Sequence, residues 1–392
     1  MRTNHLNQKI SQRSQEWYID PFLFIPLVSL ISIGFVMVAS ASFSFAEHRF
    51  GNVFFFAGRH AIYIVLAILL AVTTYKLTPK RLRSYGRLWI LFSILMLVAV
   101  LIPGIGKELN GSRRWISFAG LTFQVAEFTK ISVIIFLADY LARHRQVLGT
   151  ELSKLVFIVG LISLVAVLLI CQPDYGSVVV IGGIFMALLF VGNVRLRDYL
   201  ILVLLAGSGL WWSAGAAPYR LARLTTFLDP WADQFAAGYQ LTQSLIAFGR
   251  GEWWGLGLGQ SVQKMRYLPE AHTDFVFAIF AEEFGFFGVL VLLTVFMILI
   301  ARIFQLSYRA MQVGDWYAGY FLVGVGLFIS GQTFINLGVN AGLLPTKGLT
   351  LPFISYGGTS LICCCSLMGM SMRISNDLKI ASKTSLRSHG NA

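Results

Sequence analysis

Ten long apolar runs govern what this chain can become. They fall at roughly 21–41, 58–75, 88–104, 121–141, 154–171, 176–193, 198–217, 273–301, 316–341 and 355–373. A helix needs about 20 apolar residues to cross the hydrocarbon core, and only helices and closed barrels leave no backbone group unpaired there. Barrel strands alternate in segments of about ten residues, whereas these runs are continuously apolar. The expectation is an all-α, polytopic integral membrane protein with about ten transmembrane helices. Composition agrees where it discriminates: 12% of residues are charged, about half the share of a soluble domain. Residues 1–20 are polar and lack an apolar core, so no cleaved signal peptide is expected. The chain then divides into a tail at 1–20, one ten-span domain at 21–373 with a long external loop at 218–272, and a Ser/Lys-rich, mobile tail at 374–392.

Lysine and arginine placement orients the spans. With both ends inside, the tails (counted with Arg373 at the end of the last span) and the stretches 76–87, 143–154, 194–197 and 302–315 carry 19 of the 31 basic residues. The cluster Lys76, Lys80, Arg81, Arg83 and Arg87 dominates the bias among short loops. The net charge of +13 thus reads as topology plus attraction to anionic membrane lipid. Basic residues scattered over short loops argue against a nucleic-acid partner. Cys171, Cys363, Cys364 and Cys365 lie in or beside spans, without metal-ligand spacing.

Ionisable groups inside spans cost several kcal/mol and ask for a reason. Glu127 and Lys130 stand three apart on one face of the fourth span, with Gln124 one turn earlier. The pair serves either as an interhelical strut or as the lining of a polar cavity. In the loop 218–272, residues 239–248 have the pattern of an amphipathic surface helix, followed by glycines with Trp253 and Trp254 between them. Without a βαβ unit that glycine run is no nucleotide loop; tight turns beside a tryptophan anchor are expected. Asp274, after His272 and Thr273, opens the eighth span and is either a helix cap or a functional carboxylate. Asp174, between the fifth and sixth spans, reads as a turn residue, while Glu282 and Glu283 lie deeper in the eighth, where burial could hold either protonated. Arg113, Arg114, Arg220, Arg223, Lys264 and Arg266 could together hold an anion such as pyrophosphate. From the residues alone, a transporter, an enzyme acting on a lipid-linked anion and a receptor all remain open.

Three stretches narrow the choice: NGSRRWISFAGLTFQVAEFTK at 110–130, LPEAHTDFVFAIFAEEFGFFG at 268–288 and GLLPTKGLTLPFISYGGTSL at 342–361. They resemble the hallmark motifs of the SEDS family (shape, elongation, division and sporulation), and the likeness covers essentially the whole chain. The wording around Lys347 is similar to the division branch. The resemblance implies a peptidoglycan glycosyltransferase that polymerises lipid II into glycan strands at the outer face of the bacterial cytoplasmic membrane, at the division septum. It implies as partners a cognate single-pass transpeptidase, a class B penicillin-binding protein, and other division proteins. By the same resemblance Asp274 is the catalytic carboxylate. Trp115, Glu127 and Lys130 match family positions on the fourth span whose alteration is expected to impair activity. Arg114, Asp174, Lys264, Arg266, Thr273 and Lys347 are the supporting candidates. The leaving pyrophosphate needs charge stabilisation, from these cations or from a divalent ion such as Mg or Mn. A lipid II flippase, an elongation-type polymerase and a non-catalytic scaffold are the rival readings.

Overall fold

Each of the ten apolar runs contains a helix. The computed structural model describes residues 18–109, 111–118, 121–215, 227–236, 238–346 and 348–389. Labelled in chain order, the long helices are α1 Pro21–Phe50, α2 Phe55–Lys76, α4 Gly86–Leu101, α5 Val125–His144, α6 Leu152–Cys171, α7 Tyr175–Val191, α8 Leu196–Gly215, α10 Val276–Gln312, α11 Trp316–Asn340 and α12 Gly358–His389. Two short helices, α3 Pro79–Ser84 and α9 Tyr239–Gly251, lie between them. Among the described residues α1, α2, α6, α10 and α11 are long and apolar enough by themselves to cross a bilayer; α4 and α7 are apolar but shorter. The protein is a multi-pass membrane protein.

Local chemistry sets the ends. Asp20 accepts a hydrogen bond from the Phe22 amide at 3.1 Å and Pro21 opens α1, the residue types a helix start favours. Asp174 and Asp315 cap α7 and α11 in the same way. Helices α5 and α11 form the centre: α5 is buried along nearly its whole length from Val125 to Leu141. Their axes can approach because Gly324 faces Ile134, where an added Cβ would stand 2.8 Å from its Cγ2; small residues serve this role between membrane helices. Around them α12 packs on α2, and α10 packs on α11, α1 and α9.

The helix ends assigned inside by the charge count gather at one pole. There Asp20 receives Arg302 at 2.7 Å and Ser375 at 2.8 Å, and Asp139 receives Arg83 and Arg143 at 2.6 and 2.8 Å. The ends assigned outside, with Arg114, Asp174, His272 and Asp274, gather at the opposite pole, called outer below.

Three features depart from expectation. Residues 121–124 are not helical: β1 Lys107–Leu109, β2 Ser112–Phe118 and β3 Leu121–Gln124 form an antiparallel sheet in that order. The hairpin satisfies backbone groups by cross-strand pairing, so α5 starts only at Val125. Trp115 therefore lies on β2 opposite Gln124 rather than on the fourth span, and the Gln124 amide donates to Thr359 Oγ1. Second, α12 continues through the tail to His389, helped by the Ser375–Asp20 bond and an i,i+4 pair of Arg373 with Asp377 at 3.0 Å. Third, α10 is broken at Gly285, with φ 64° and ψ −167°. Into that break fits the loop after α9: Leu256 and Gly257 amides donate to the Glu282 and Glu283 carbonyls, and the Phe286 and Phe287 amides donate to those of Glu252 and Trp253. The exposed Trp253 and Trp254 rings pack on Phe286 and Phe287, as an interfacial anchor should. α9 is amphipathic as expected, yet its apolar face, including Leu241 and Ala247, is buried against α10 and α11.

Candidate active site

Asp274 sits two residues ahead of α10, half-buried at the outer pole. The capping reading fails, because α10 is capped by Phe275 without a side-chain bond and no hydrogen bond among the described residues reaches the Asp274 carboxylate. Its backbone is held firmly instead. The Asp274 carbonyl accepts from Asn336 Nδ2 at 2.9 Å and Asn340 Nδ2 at 3.0 Å. Asn340 Oδ1 accepts the Ala278 amide at 3.2 Å, so one side chain ties the mouth of α10 to α11. Gly348 closes the other side: a Cβ there would lie 3.0 Å from Asp274 Oδ2. Burial pushes the Asp274 carboxyl up to about 7, the nearby Glu270 carboxylate adds to the rise, and Arg114 opposes it.

Arg114 comes from β2. Its Nε donates to the Gln172 carbonyl at 3.1 Å and an Nη to that of Pro173 at 2.6 Å, leaving Asp174 at 3.8 Å. Asp174 is occupied: its carboxylate takes both the Ser177 amide, at 3.2 Å, and hydroxyl, at 2.9 Å. It is the turn residue its setting implied, and it caps α7. Thr273 donates to the Glu270 carboxylate at 2.7 Å. Trp115 is half-buried on the same strand as Arg114.

Beneath this layer, Lys130 Nζ meets Glu127 Oε1 at 2.7 Å and reaches Gln332 Oε1 at 3.4 Å. Both members of the pair are buried, and Glu127 Oε2 has no partner among the described residues. Gln332 Nε2 donates to the Thr350 carbonyl at 2.9 Å, while Asn336 donates to that of Leu349 at 2.6 Å. The segment that carries Gly348 against Asp274 is therefore held by two rungs of α11. Lys130 supports the lower rung.

The basic residues divide. Lys264 is buried with its Nζ on Glu283 at 2.7 Å and Ser40 at 2.8 Å, so it holds the loop to α10 and α1 and is not free for an anion. Glu282 is likewise engaged, by Arg250 at 3.1 Å, by Ser261 Oγ and by the Val262 amide; neither glutamate is isolated. Arg113 pairs with Glu108 at 3.0 Å on the exposed sheet. Arg266 is exposed and, with Arg49 of α1, lines a cleft of about 540 Å³ bounded by Phe45, Glu270 and His272. The His272 ring packs against Phe56 and Tyr356, with centroids 4.5 and 5.6 Å away; burial lowers its pKa and Glu270 opposes that shift. Arg220, Arg223 and Lys347 lie outside the described residues.

No group of three or more His, Cys, Asp or Glu side chains suited to a metal occurs among the described residues. Asp274 and Glu270 are close enough to interact electrostatically, and Glu270 already accepts from Thr273. Sequence reasoning passed over Gln332, Asn336, Asn340, Gly348 and Arg49. The three amides recur every four residues within an apolar run, a polar stripe that helical periodicity could have revealed.

Residues 21–380 match the family described as cell cycle protein, that of FtsW, RodA and SpoVE. A Legionella pneumophila protein named probable peptidoglycan glycosyltransferase FtsW is 44% identical over 96% of both chains. A Coxiella burnetii protein of that name is 46% identical over 91% of this chain and 96% of its own. Among solved structures, a chain of a peptidoglycan synthase complex that coordinates polymerization and crosslinking superposes with a TM-score of 0.75, at 29% identity over 92% of this chain and 99% of that one. The rod shape determining protein RodA of Thermus thermophilus superposes with a TM-score of 0.67, at 28% identity over 92% and 98%. With its three motif stretches folded around one outer-pole carboxylate, the chain belongs to the SEDS family, on its FtsW side.

Proposed function

We propose that this protein is a peptidoglycan glycosyltransferase that polymerises lipid II at the outer face of the cytoplasmic membrane, with Asp274 as general base, in septal wall synthesis. The names of its relatives support the activity. The observation that carries the role of Asp274 is its carboxylate, without a hydrogen-bond partner among the described residues, half-buried and raised to about 7, on a backbone that two asparagines fix in place. In the transfer, the acceptor's 4-hydroxyl oxygen forms a bond to the donor's anomeric carbon while the bond to the lipid pyrophosphate breaks. The hydroxyl proton passes to Asp274, and a base poised near neutrality suits that step. The pyrophosphate leaves already ionised and needs cations rather than an acid; Arg114 beside Asp274 and Arg49 and Arg266 in the adjoining cleft are placed to supply them. If a Mg or Mn ion takes part, Glu270 and Asp274 would be the residues to hold it, and it would add positive charge for the leaving group. Likeness to a chain of a synthase complex supports a transpeptidase of the class B penicillin-binding type as the partner.

The test is the reconstituted protein with its transpeptidase and labelled lipid II, read as a glycan ladder. Asp274→Asn preserves size and backbone geometry but cannot take the proton, so a loss of about 100-fold or more is expected, with partner binding retained. An Asn variant polymerising at close to the unmodified rate removes Asp274 from the mechanism. Absence of any ladder from the unmodified pair, alongside translocation of lipid II, favours the flippase.

A further inference from the structure

At the inner pole, away from this chemistry, α4, α5 and α6 leave a cleft of about 330 Å³ between them. Its lining changes character along its length. Arg87 at the start of α4 and Arg143 near the end of α5 stand at the rim. One to two turns further into the span come Leu91 and Ile94 of α4, and Phe157 and Leu161 of α6 complete the trough. Leu91 and Phe157 are 53% and 58% exposed, so the trough opens sideways toward the bilayer rather than into the bundle. The rim is positively charged. Arg87 and Arg143 line it together with one carboxylate, Asp139, which is engaged by Arg143 through two nitrogens and by Arg83 of α3. Arg87 has no carboxylate partner among the described residues.

A cationic rim at head-group depth above an apolar trough open to the membrane matches one occupant. We propose that this cleft binds an anionic phospholipid, its phosphate at Arg87 and Arg143 and one acyl chain along Leu91, Ile94 and Phe157. A soluble anion would gain nothing from the trough, and a zwitterionic lipid would leave the excess charge of the rim uncompensated. Basic pockets between transmembrane helices on the cytoplasmic side bind anionic head groups by this logic. The site lies on α5, whose other end carries Glu127 and Lys130, but its occupancy is independent of what the outer pole catalyses.

The full-length protein in detergent, titrated with dioleoyl phosphatidylglycerol or dioleoyl phosphatidylcholine and read by native mass spectrometry, tests this. The unmodified protein should retain the anionic lipid at least about tenfold better, since each basic residue near a head group contributes about 1 kcal/mol. Arg87→Gln should reduce that preference about fivefold by the same measure. Ile94→Trp fills the trough, keeps every charge, and should abolish retention; it distinguishes a chain-bearing site from a surface charge effect. Equal retention of both lipids, or no change in either variant while the protein stays monodisperse, overturns the proposal. So does displacement of the lipid by inorganic phosphate, which would make the site an anion site, or by an equimolar polyprenyl phosphate, which would assign it to the lipid-linked precursor.

Discussion

The raised carboxyl of Asp274 makes a quantitative prediction about pH. A general base works in its ionised form, so the rate follows the ionised fraction. With Asp274 titrating at about 7, roughly 90% is ionised at pH 8 and about 3% at pH 5.5, so kcat/KM should fall about 30-fold over that interval. A carboxylate at the ordinary aspartate value, near 4, would be almost fully ionised throughout, and its profile would be flat. The sign is fixed by cause: burial and Glu270 disfavour the anion, and Arg114 favours it. Replacing Arg114 with Gln should therefore move the acid limb to higher pH, whereas replacing Glu270 with Gln should move it lower. Initial rates of lipid II polymerisation by the reconstituted pair, measured at subsaturating substrate from pH 5.5 to 8.5, provide the assay. A rate that is level across that range, with the protein intact at each pH, refutes the assignment of Asp274 as a base perturbed by its surroundings.

Three further outcomes are expected. Lys130→Met alone should destabilise the protein by about 3–5 kcal/mol, because it strands the buried Glu127 carboxylate; adding Glu127→Met should recover much of that in thermal unfolding, and additive losses would deny the coupling. Gly255→Ala should lower thermal stability more than Gly257→Ala: both carry positive φ, 78° and 99°, but only at Gly255 would the new Cβ meet backbone, 2.2 Å from the Glu283 carbonyl oxygen. After replacement of the native cysteines, a cysteine placed near Gly238 should react with impermeant reagent in whole cells while one near Arg81 should not; the reverse pattern overturns the orientation.

Much of this protein was legible before folding, because a bilayer is an unforgiving solvent. Twenty apolar residues in a row leave the backbone few choices, so the ten helices could be placed from the runs alone. The Glu127–Lys130 pair was readable for a related reason: two opposite charges three apart on a helix face each other wherever that helix goes. The motif stretches likewise pointed to Asp274. What remained hidden depended on partners distant in sequence. Whether Asp274 capped its helix or stood free turned on where α10 begins, and Phe275 took the cap. Lys264 looked like an anion ligand until Glu283 and Ser40 closed around it. Residues 121–124 read as membrane helix because they are apolar, but their pairing with β2 decided otherwise. Helix periodicity and hydropathy are properties of one segment, whereas a site is made where segments meet. The link from Asn336 and Asn340 to the Asp274 carbonyl spans more than sixty residues of chain, and no local pattern records it. Tertiary packing alone brought the α10 mouth, the α11 amides and Gly348 together, because only there do buried polar groups find the partners that burial demands.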